Sequence, residues 1–139
     1  MQVVQYGPPI SLAAAKRVME AAEKEASANN WAMVIAVADS TGHLVSLHKM
    51  DHAQYGSIAV AQAKAETAVN FKRPTRIFEQ GVAEGGVGLR MLSVSGLSAL
   101  EGGLLLVDED RIIGAIGVSG AKATEDAQVA AAGVRAVGG

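Results

Sequence analysis

Residues 32–49 read AMVIAVADSTGHLVSLHK, which is two strand-like segments joined by a turn. The first segment, 32–38, is a nearly continuous apolar run with β-branched residues, a composition typical of a strand buried on both faces. The stretch Asp39-Ser40-Thr41-Gly42 then favours a turn, and 43–49 forms the returning strand. These residues therefore predict a β-hairpin whose first strand is central in its sheet.

Helical periodicity lies on both sides of this hairpin. Apolar residues recur on one helical face over 12–28, directly after Ser11, a residue type that caps helix N-termini well. A second helix is predicted over 57–70. A third is predicted over 124–137, where Arg135 near the end complements the helix dipole.

A second hairpin is predicted from 103–107 and 111–118, around an acidic turn. Residues 2–6 favour a short edge strand, and the glycine-rich stretch 79–96 is interpreted as mostly loop with room for a short helix or strand. The order helix, hairpin, helix, hairpin, helix indicates an α+β fold, because hairpins make antiparallel pairs. No linker or fixed-period repeat divides the chain, so a single domain over 1–139 is expected.

Composition excludes several classes of protein. Half of the residues are hydrophobic and 19% are charged, which argues against disorder, and the formal net charge of −2 disfavours a nucleic-acid partner. The absence of cysteine excludes disulfide scaffolds, thiolate metal sites and cysteine nucleophiles. No signal-peptide pattern and no apolar run of about 20 residues is present, so we expect a cytoplasmic protein with no membrane partner.

The apolar content is aliphatic rather than aromatic, with one Trp, two Tyr and two Phe beside 16 Gly. A small chain with this much aliphatic surface tends to place the surplus at subunit contacts, because large apolar patches are rare on monomers. We therefore expect a homo-oligomer. The alternative is a monomer with a smooth core.

Three histidines, His43, His48 and His52, lie within ten residues of one another. His43 and His48 are five positions apart, so they point to opposite faces of a regular strand and cannot form a simple metal clamp. No metal site is expected. A single imidazole remains a candidate for an axial haem ligand or an acid–base group, and the alternative is a solvated surface histidine.

Basic residues supply a second set of candidates. Arg73 and Arg76 flank Pro74 and could clamp an anionic ligand with their planar guanidinium groups, or could form an ordinary basic helix end. Lys64 lies in the middle of a helix among alanines, where it is not expected to be fully exposed. A buried lysine needs a carboxylate partner, so a structural salt bridge and a functional amine both stay open.

The segment GAIGVSG at 114–120 contains Gly117 and Ser119 and resembles neither a P-loop nor a dinucleotide fingerprint. One interpretation is a tight turn from strand to helix with close backbone packing. The other is an anion site formed by free N–H groups near the start of the last helix.

Three segments together resemble one known family. They are VADSTGHLVSLHKMDHA at 37–53, the stretch 57–75 with its Lys64-Ala65 pair and its FKRPT ending, and IGAIGVSG at 113–120. The chain resembles the GlcG/HbpS family, which includes the C-terminal domain of PduO-type proteins. The resemblance covers nearly the whole chain.

This resemblance implies a profilin-like fold, with a five-stranded antiparallel sheet and helices on both faces. It also implies homo-oligomers built from dimers, from tetramers to octamers. Some members bind haem, and others have unassigned roles in catabolic operons. The chain departs from the family pattern where it has His52 in place of the usual Gly, Gly102-Gly103-Leu104-Leu105 without the usual Pro, and Asp108-Glu109-Asp110 in place of an Asp-Gly turn.

Three functions follow as hypotheses. The first is an oligomeric protein that binds a small anionic or planar ligand, with haem the leading candidate and otherwise no cofactor. The second is a cofactor-independent lyase, isomerase or deaminase acting on a small organic acid. The third is a structural partner of another enzyme. The candidate catalytic residues are His48 and His52, and the candidate ligand-binding residues are His43, Lys64, Arg73, Arg76, Gly117 and Ser119.

Overall fold

A computed structural model describes residues 4–138. Its elements in chain order are β1 (Gln5–Tyr6), α1 (Leu12–Ala28), β2 (Val34–Asp39), β3 (Leu44–Lys49), α2 (Gly56–Phe71), α3 (Arg76–Glu84), a 3₁₀ helix (Gly86–Ser93), β4 (Gly103–Asp108), β5 (Arg111–Ser119) and α4 (Ala123–Arg135). The predicted helices and hairpins are all present. Helix α1 begins where the Ser11 hydroxyl accepts a hydrogen bond from the Ala14 N–H at 3.1 Å. Of the predicted edge strand 2–6, residues 2 and 3 lie outside the described part of the chain.

The sheet is five-stranded and mixed rather than purely antiparallel. Strand β5 pairs antiparallel with β4 along one edge and with β2 along the other, and β3 pairs with β2. Pairing between β2 and β5 stops at Asp39 and Gly114, which leaves the first residues of β5 without a neighbour on that edge. Strand β1 fills this space in the parallel direction, opposite Arg111 and Ile112. The prediction of a purely antiparallel sheet is therefore wrong at β1, which is parallel to β5.

The two faces of the sheet are covered differently. Helices α1 and α4 pack together on one face, over a core of large aliphatic side chains. That core includes Val18, Met19, Met33, Ile35, Val37, Leu106, Ile116, Val118 and Val129. Strand β2 lies between β3 and β5, and its residues from Val34 to Ala38 are all buried, which confirms its predicted central position.

Helix α2 covers the opposite face and lies very close to it. The facing side chains are small, with Ala61, Ala65 and Ala68 on the helix and Ala115 on β5. A Cβ atom at Gly117 would lie 2.0 Å from the Ala61 carbonyl oxygen. The close approach of α2 to the sheet therefore requires glycine at this position.

The stretch predicted as mostly loop forms α3 and the 3₁₀ helix. Helix α3 buries Phe78, whose ring contacts the Phe71 ring edge-on at a centroid distance of 5.5 Å. The 3₁₀ helix packs closely against α3. The approach is so close that a Cβ atom at Gly88 would lie 1.9 Å from the Gly81 carbonyl oxygen. The glycines that obscured this region in the sequence thus allow its two short helices to touch.

Candidate functional site

The turn between β2 and β3 holds three polar side chains in a hydrogen-bonded chain. Asp39 Oδ1 accepts hydrogen bonds from the Thr41 hydroxyl at 2.6 Å, the Thr41 N–H at 2.9 Å and the His43 N–H at 3.2 Å. Thr41 Oγ1 lies 2.8 Å from His43 Nδ1. We call this arrangement the Asp39–Thr41–His43 chain. It is built on the hydrogen bond from the Thr41 N–H to the Asp39 carboxylate two residues earlier, a bond that Asp side chains commonly accept in turns.

The charge state of Asp39 follows from its neighbours. Burial alone raises the pKa of the Asp39 carboxyl, but the hydrogen bonds from Thr41 and His43 outweigh burial and hold that pKa below its usual value. Asp39 is therefore ionised at neutral pH and acts only as a hydrogen-bond acceptor.

His43 lies beside a cleft of about 330 Å³ between the β2–β3 turn and α2. The cleft, called here the His43 cleft, is lined by Ala38, Thr41, Gly42, His43, Leu44, Gln62, Ala65 and Glu66. Its volume is within the range of small-molecule sites, and its lining is mixed, with Thr41, His43, Gln62 and Glu66 as the polar side chains. The Asn70 side chain packs against Gly42, so this turn lies near the C-terminal end of α2.

His48 lies on the face of the sheet that α1 covers. The regular-strand spacing does not apply to His43 and His48, because His43 precedes β3 and the register of β3 against β2 shifts between Leu44 and Ser46. Its Nδ1 atom hydrogen-bonds the Glu23 carboxylate on α1. A second cleft of about 250 Å³ lies there, between β3 and α1, and includes Lys16 and Ser46 in its lining. We call it the His48 cleft.

His52 belongs to neither cleft. It is exposed in the turn after β3, with a φ angle of +71°. This left-handed conformation favours glycine and explains physically why glycine suits the position.

Lys64 has a partner inside the protein. It is 2% exposed, and its Nζ donates hydrogen bonds to Asp126 Oδ2 at 2.9 Å and to the Val118 carbonyl oxygen at 2.8 Å. Asp126 is 3% exposed and also accepts a hydrogen bond from the Ala121 N–H at 3.0 Å. Burial raises the pKa of the Asp126 carboxyl, although the hydrogen bond and charge of Lys64 oppose that rise. Of the two interpretations of Lys64, the structure contains the salt bridge.

Gly117 and Ser119 belong to β5 and contact α2. The Ser119 hydroxyl donates a 2.9 Å hydrogen bond to the Ser57 hydroxyl, and both side chains are buried. Near the start of α4, carboxylates of the chain itself accept hydrogen bonds from two backbone N–H groups, those of Ala121 and Lys122. The packing interpretation of 114–120 therefore matches the observed contacts of these residues.

Arg73 and Arg76 lie at the corner between α2 and α3, and both are exposed. Arg73 Nε donates a hydrogen bond to the Phe71 carbonyl oxygen at 2.8 Å, and its guanidinium lies 5.9 Å from the centre of the Phe78 ring. The β2–β3 turn is near the same end of α2. The structure thus places the two arginines after the C-terminal end of α2 and His43 beside a cleft lined by Gln62 and Glu66 of the same helix, while Lys64, Gly117 and Ser119 are inside the protein.

The sequence analysis missed an apolar cleft on the outer side of α2. This apolar cleft has a volume of about 570 Å³ and is lined by Ala59, Val60, Ala63, Val82, Leu92 and residues 96–100. A signal was present in the sequence, since α2 carries small apolar residues all around its circumference rather than on one face. Within residues 4–138, no cluster of three or more His, Asp or Glu side chains has metal-binding geometry.

Comparison with known proteins identifies the family. Residues 10–135 match the family model described as haem-degrading protein HbpS-like. The chain belongs to the HbpS-like family. This confirms the resemblance seen in the three sequence segments. The HbpS-like chain is also 40% identical to protein GlcG of Escherichia coli K12 over 105 residues, which cover 76% of this chain and 77% of GlcG.

Solved structures show the same fold. HbpS of Streptomyces reticuli, in a double-mutant form, superposes with a TM-score of 0.87 at 27% identity, covering 97% of this chain and 91% of that one. The structure of a PduOC–haem complex superposes with a TM-score of 0.83 at 25% identity, covering 92% of this chain and 94% of that one. Among residues 4–138, no helix has the length and apolar character needed to cross a membrane.

Proposed function

We propose that this HbpS-like chain is an oligomeric small-ligand-binding protein of the cytoplasm, with haem as its leading ligand. The observation that carries the proposal is the His43 imidazole, which is exposed beside a cleft of mixed apolar and polar lining. Support comes from the HbpS-like family match and from the haem complex of a protein with the same fold.

The residues around His43 suit the parts of haem. Haem supplies an iron centre that takes an axial ligand, and an imidazole nitrogen is a common one. Leu44, which is exposed, offers apolar contact to the edge of a planar ring, while the neighbouring Ala38 and Ala65 are buried. In this proposal the exposed Arg73 and Arg76, after the C-terminal end of α2, would supply cations for its carboxylates, whereas the Glu66 carboxylate in the lining of the cleft would repel them.

Oligomerisation is the second part of the proposal. The 3₁₀ helix exposes aliphatic side chains, with Val87 73%, Leu92 66% and Leu89 49% exposed. Such contiguous apolar surface marks an interaction site more often than free surface. We propose that copies of the chain associate through it as dimers, which assemble further into tetramers or octamers, and that the ligand lies between chains.

A haemin titration of the purified protein, followed by absorbance, tests the proposal. The wild-type protein is expected to give a saturable Soret band. His43→Ala should weaken binding by about tenfold or more, equivalent to about 1.4 kcal/mol. His48→Ala and His52→Ala are matched controls that should bind like the wild type. A wild-type protein with no Soret change, or equal losses in all three variants, would contradict the proposal.

One observation favours a second function, that of a cofactor-independent lyase, isomerase or deaminase. The imidazole of His48 is oriented by Glu23, as in a general acid–base pair, and Lys16 offers a cation for a carboxylate in the same cleft. A panel of small organic acids tests this alternative. It predicts turnover that His48→Ala abolishes and His43→Ala leaves unchanged, and the absence of turnover across the panel would contradict it.

A further inference from the structure

We propose that Asp39 and Thr41 are positioning residues that fix the His43 imidazole in the tautomer with its proton on Nδ1, so that Nε2 is presented to the ligand as an electron-pair donor. The choice of iron as the recipient rests on the proposed function. The tautomer itself rests only on the geometry of the turn.

The direction of each hydrogen bond follows from counting protons. The Thr41 hydroxyl has one proton, and its oxygen lies 2.6 Å from Asp39 Oδ1, an ionised acceptor. If that proton pointed to His43 instead, two oxygens with only lone pairs would face each other at this short distance. The hydroxyl proton therefore goes to Asp39, and Thr41 Oγ1 can only accept from His43 Nδ1 at 2.8 Å.

A neutral imidazole has one N–H, so a proton on Nδ1 leaves the lone pair on Nε2. This is the arrangement by which metal-binding histidines are held, since their second nitrogen usually donates to a carboxylate or carbonyl group that orients the ring. Here the carboxylate acts through the Thr41 hydroxyl. A hydrogen bond to an ionised group also polarises the next bond in the chain, which makes Nε2 a stronger donor.

A stronger imidazole donor favours ferric over ferrous haem. Second-shell hydrogen bonding is one of the ways in which a protein sets the behaviour of haem iron. The Asp39–Thr41–His43 chain would thus determine which oxidation state of haem the protein retains, in addition to orienting the ring. Glu66, which also lines the cleft, adds a negative charge that favours the more positive ferric centre.

Thr41→Val tests the inference without changing the shape of the turn. Thr41 is exposed, and Asp39 keeps its hydrogen bonds from the Thr41 and His43 N–H groups. Thr41→Ser restores the hydroxyl and is the matched control. The first readout needs no haem: ¹⁵N NMR of the ring nitrogens of His43 in the ligand-free, full-length protein at a pH where His43 is neutral.

The wild type and Thr41→Ser should show the Nδ1–H tautomer, and Thr41→Val should lose it. In the haem-loaded protein, Thr41→Val should lower ferric-haem affinity by about 10–100-fold and raise the midpoint potential, with both restored in Thr41→Ser. An Nε2–H tautomer in the wild type, or identical spectra for all three proteins, would overturn the inference while leaving haem binding untouched. An Nδ1–H wild type that binds no haemin would support the positioning role and overturn the proposed function instead.

Discussion

Replacing Lys64 by Met leaves the buried carboxylate of Asp126 without its counter-charge. The substitution keeps an unbranched side chain of similar length in the interior but removes the ammonium group that makes two hydrogen bonds. Asp126, 3% exposed, would then keep its hydrogen bond from the Ala121 N–H and lose its counter-charge. Breaking a buried ion pair in this way costs about 3–5 kcal/mol. For a domain of this size, that loss lowers Tm by about 10–20 °C.

The pH dependence gives this prediction a specific signature. Burial raises the pKa of Asp126, and without the opposing charge of Lys64 the pKa rises further. The folded variant then binds a proton at Asp126 more tightly than the unfolded chain does. Its stability therefore falls as pH rises from the pKa of Asp126 in the unfolded chain to the pKa in the folded variant. The difference in Tm between Lys64→Met and the wild type should therefore be larger at pH 8 than at pH 5.

Thermal unfolding measures the effect, at one fixed protein concentration because the proposed association of chains would make stability depend on concentration. The double variant Lys64→Met, Asp126→Asn should recover much of the loss, because the amide still accepts from Ala121 and carries no charge. Lys16→Met, at an exposed position, should change stability by less than about 0.5 kcal/mol. A loss under about 1 kcal/mol for Lys64→Met, equal at both pH values, would refute the reasoning from burial.

Four further substitutions test the backbone of the fold. His52→Gly should stabilise the protein by about 1 kcal/mol in urea unfolding, because it relieves a φ angle of +71°, and destabilisation would show that the imidazole makes a needed contact. Gly117→Ala should abolish soluble expression or lower Tm sharply, because its Cβ would lie 2.0 Å from the Ala61 carbonyl oxygen. Gly81→Ala is the control, because a Cβ atom there meets open space in α3, and it should raise Tm slightly. Equal effects of the two substitutions would contradict the packing account. Asp110→Gly should also raise stability in urea, by up to about 1 kcal/mol, because Asp110 has a φ angle of +62° in the β4–β5 turn. A lower urea midpoint of unfolding would count against strain at this turn.

Local sequence signals predicted most of the fold. The apolar run of β2, the turn residues after it and the periodicity of α1 are each encoded within a few neighbouring residues. The direction of β1 could not be predicted in this way, because it depends on where β2 stops pairing with β5 at Asp39 and Gly114. Helix α3 was obscured by its glycine content and by having a single buried residue, Phe78, as its apolar signal.

The candidate site was predictable in part. The need of a buried Lys64 for a carboxylate was evident, but its partner Asp126 is 62 positions away and is reached only through the fold. Asp39, Thr41 and His43 are neighbours in the sequence, yet their hydrogen bonds depend on the conformation of the turn between them. The apolar cleft outside α2 depends on how the 3₁₀ helix folds back, which local periodicity does not describe.

The central claim is that the His43 imidazole is the group that binds haem iron. Chemical rescue of His43→Gly tests it most directly, because free imidazole can occupy the space that the missing side chain leaves. The variant loaded with haemin should lack the wild-type Soret spectrum and regain it when imidazole is added, beyond the change that imidazole causes in haemin without protein. Identical spectra for the wild type and His43→Gly before imidazole is added would contradict the claim.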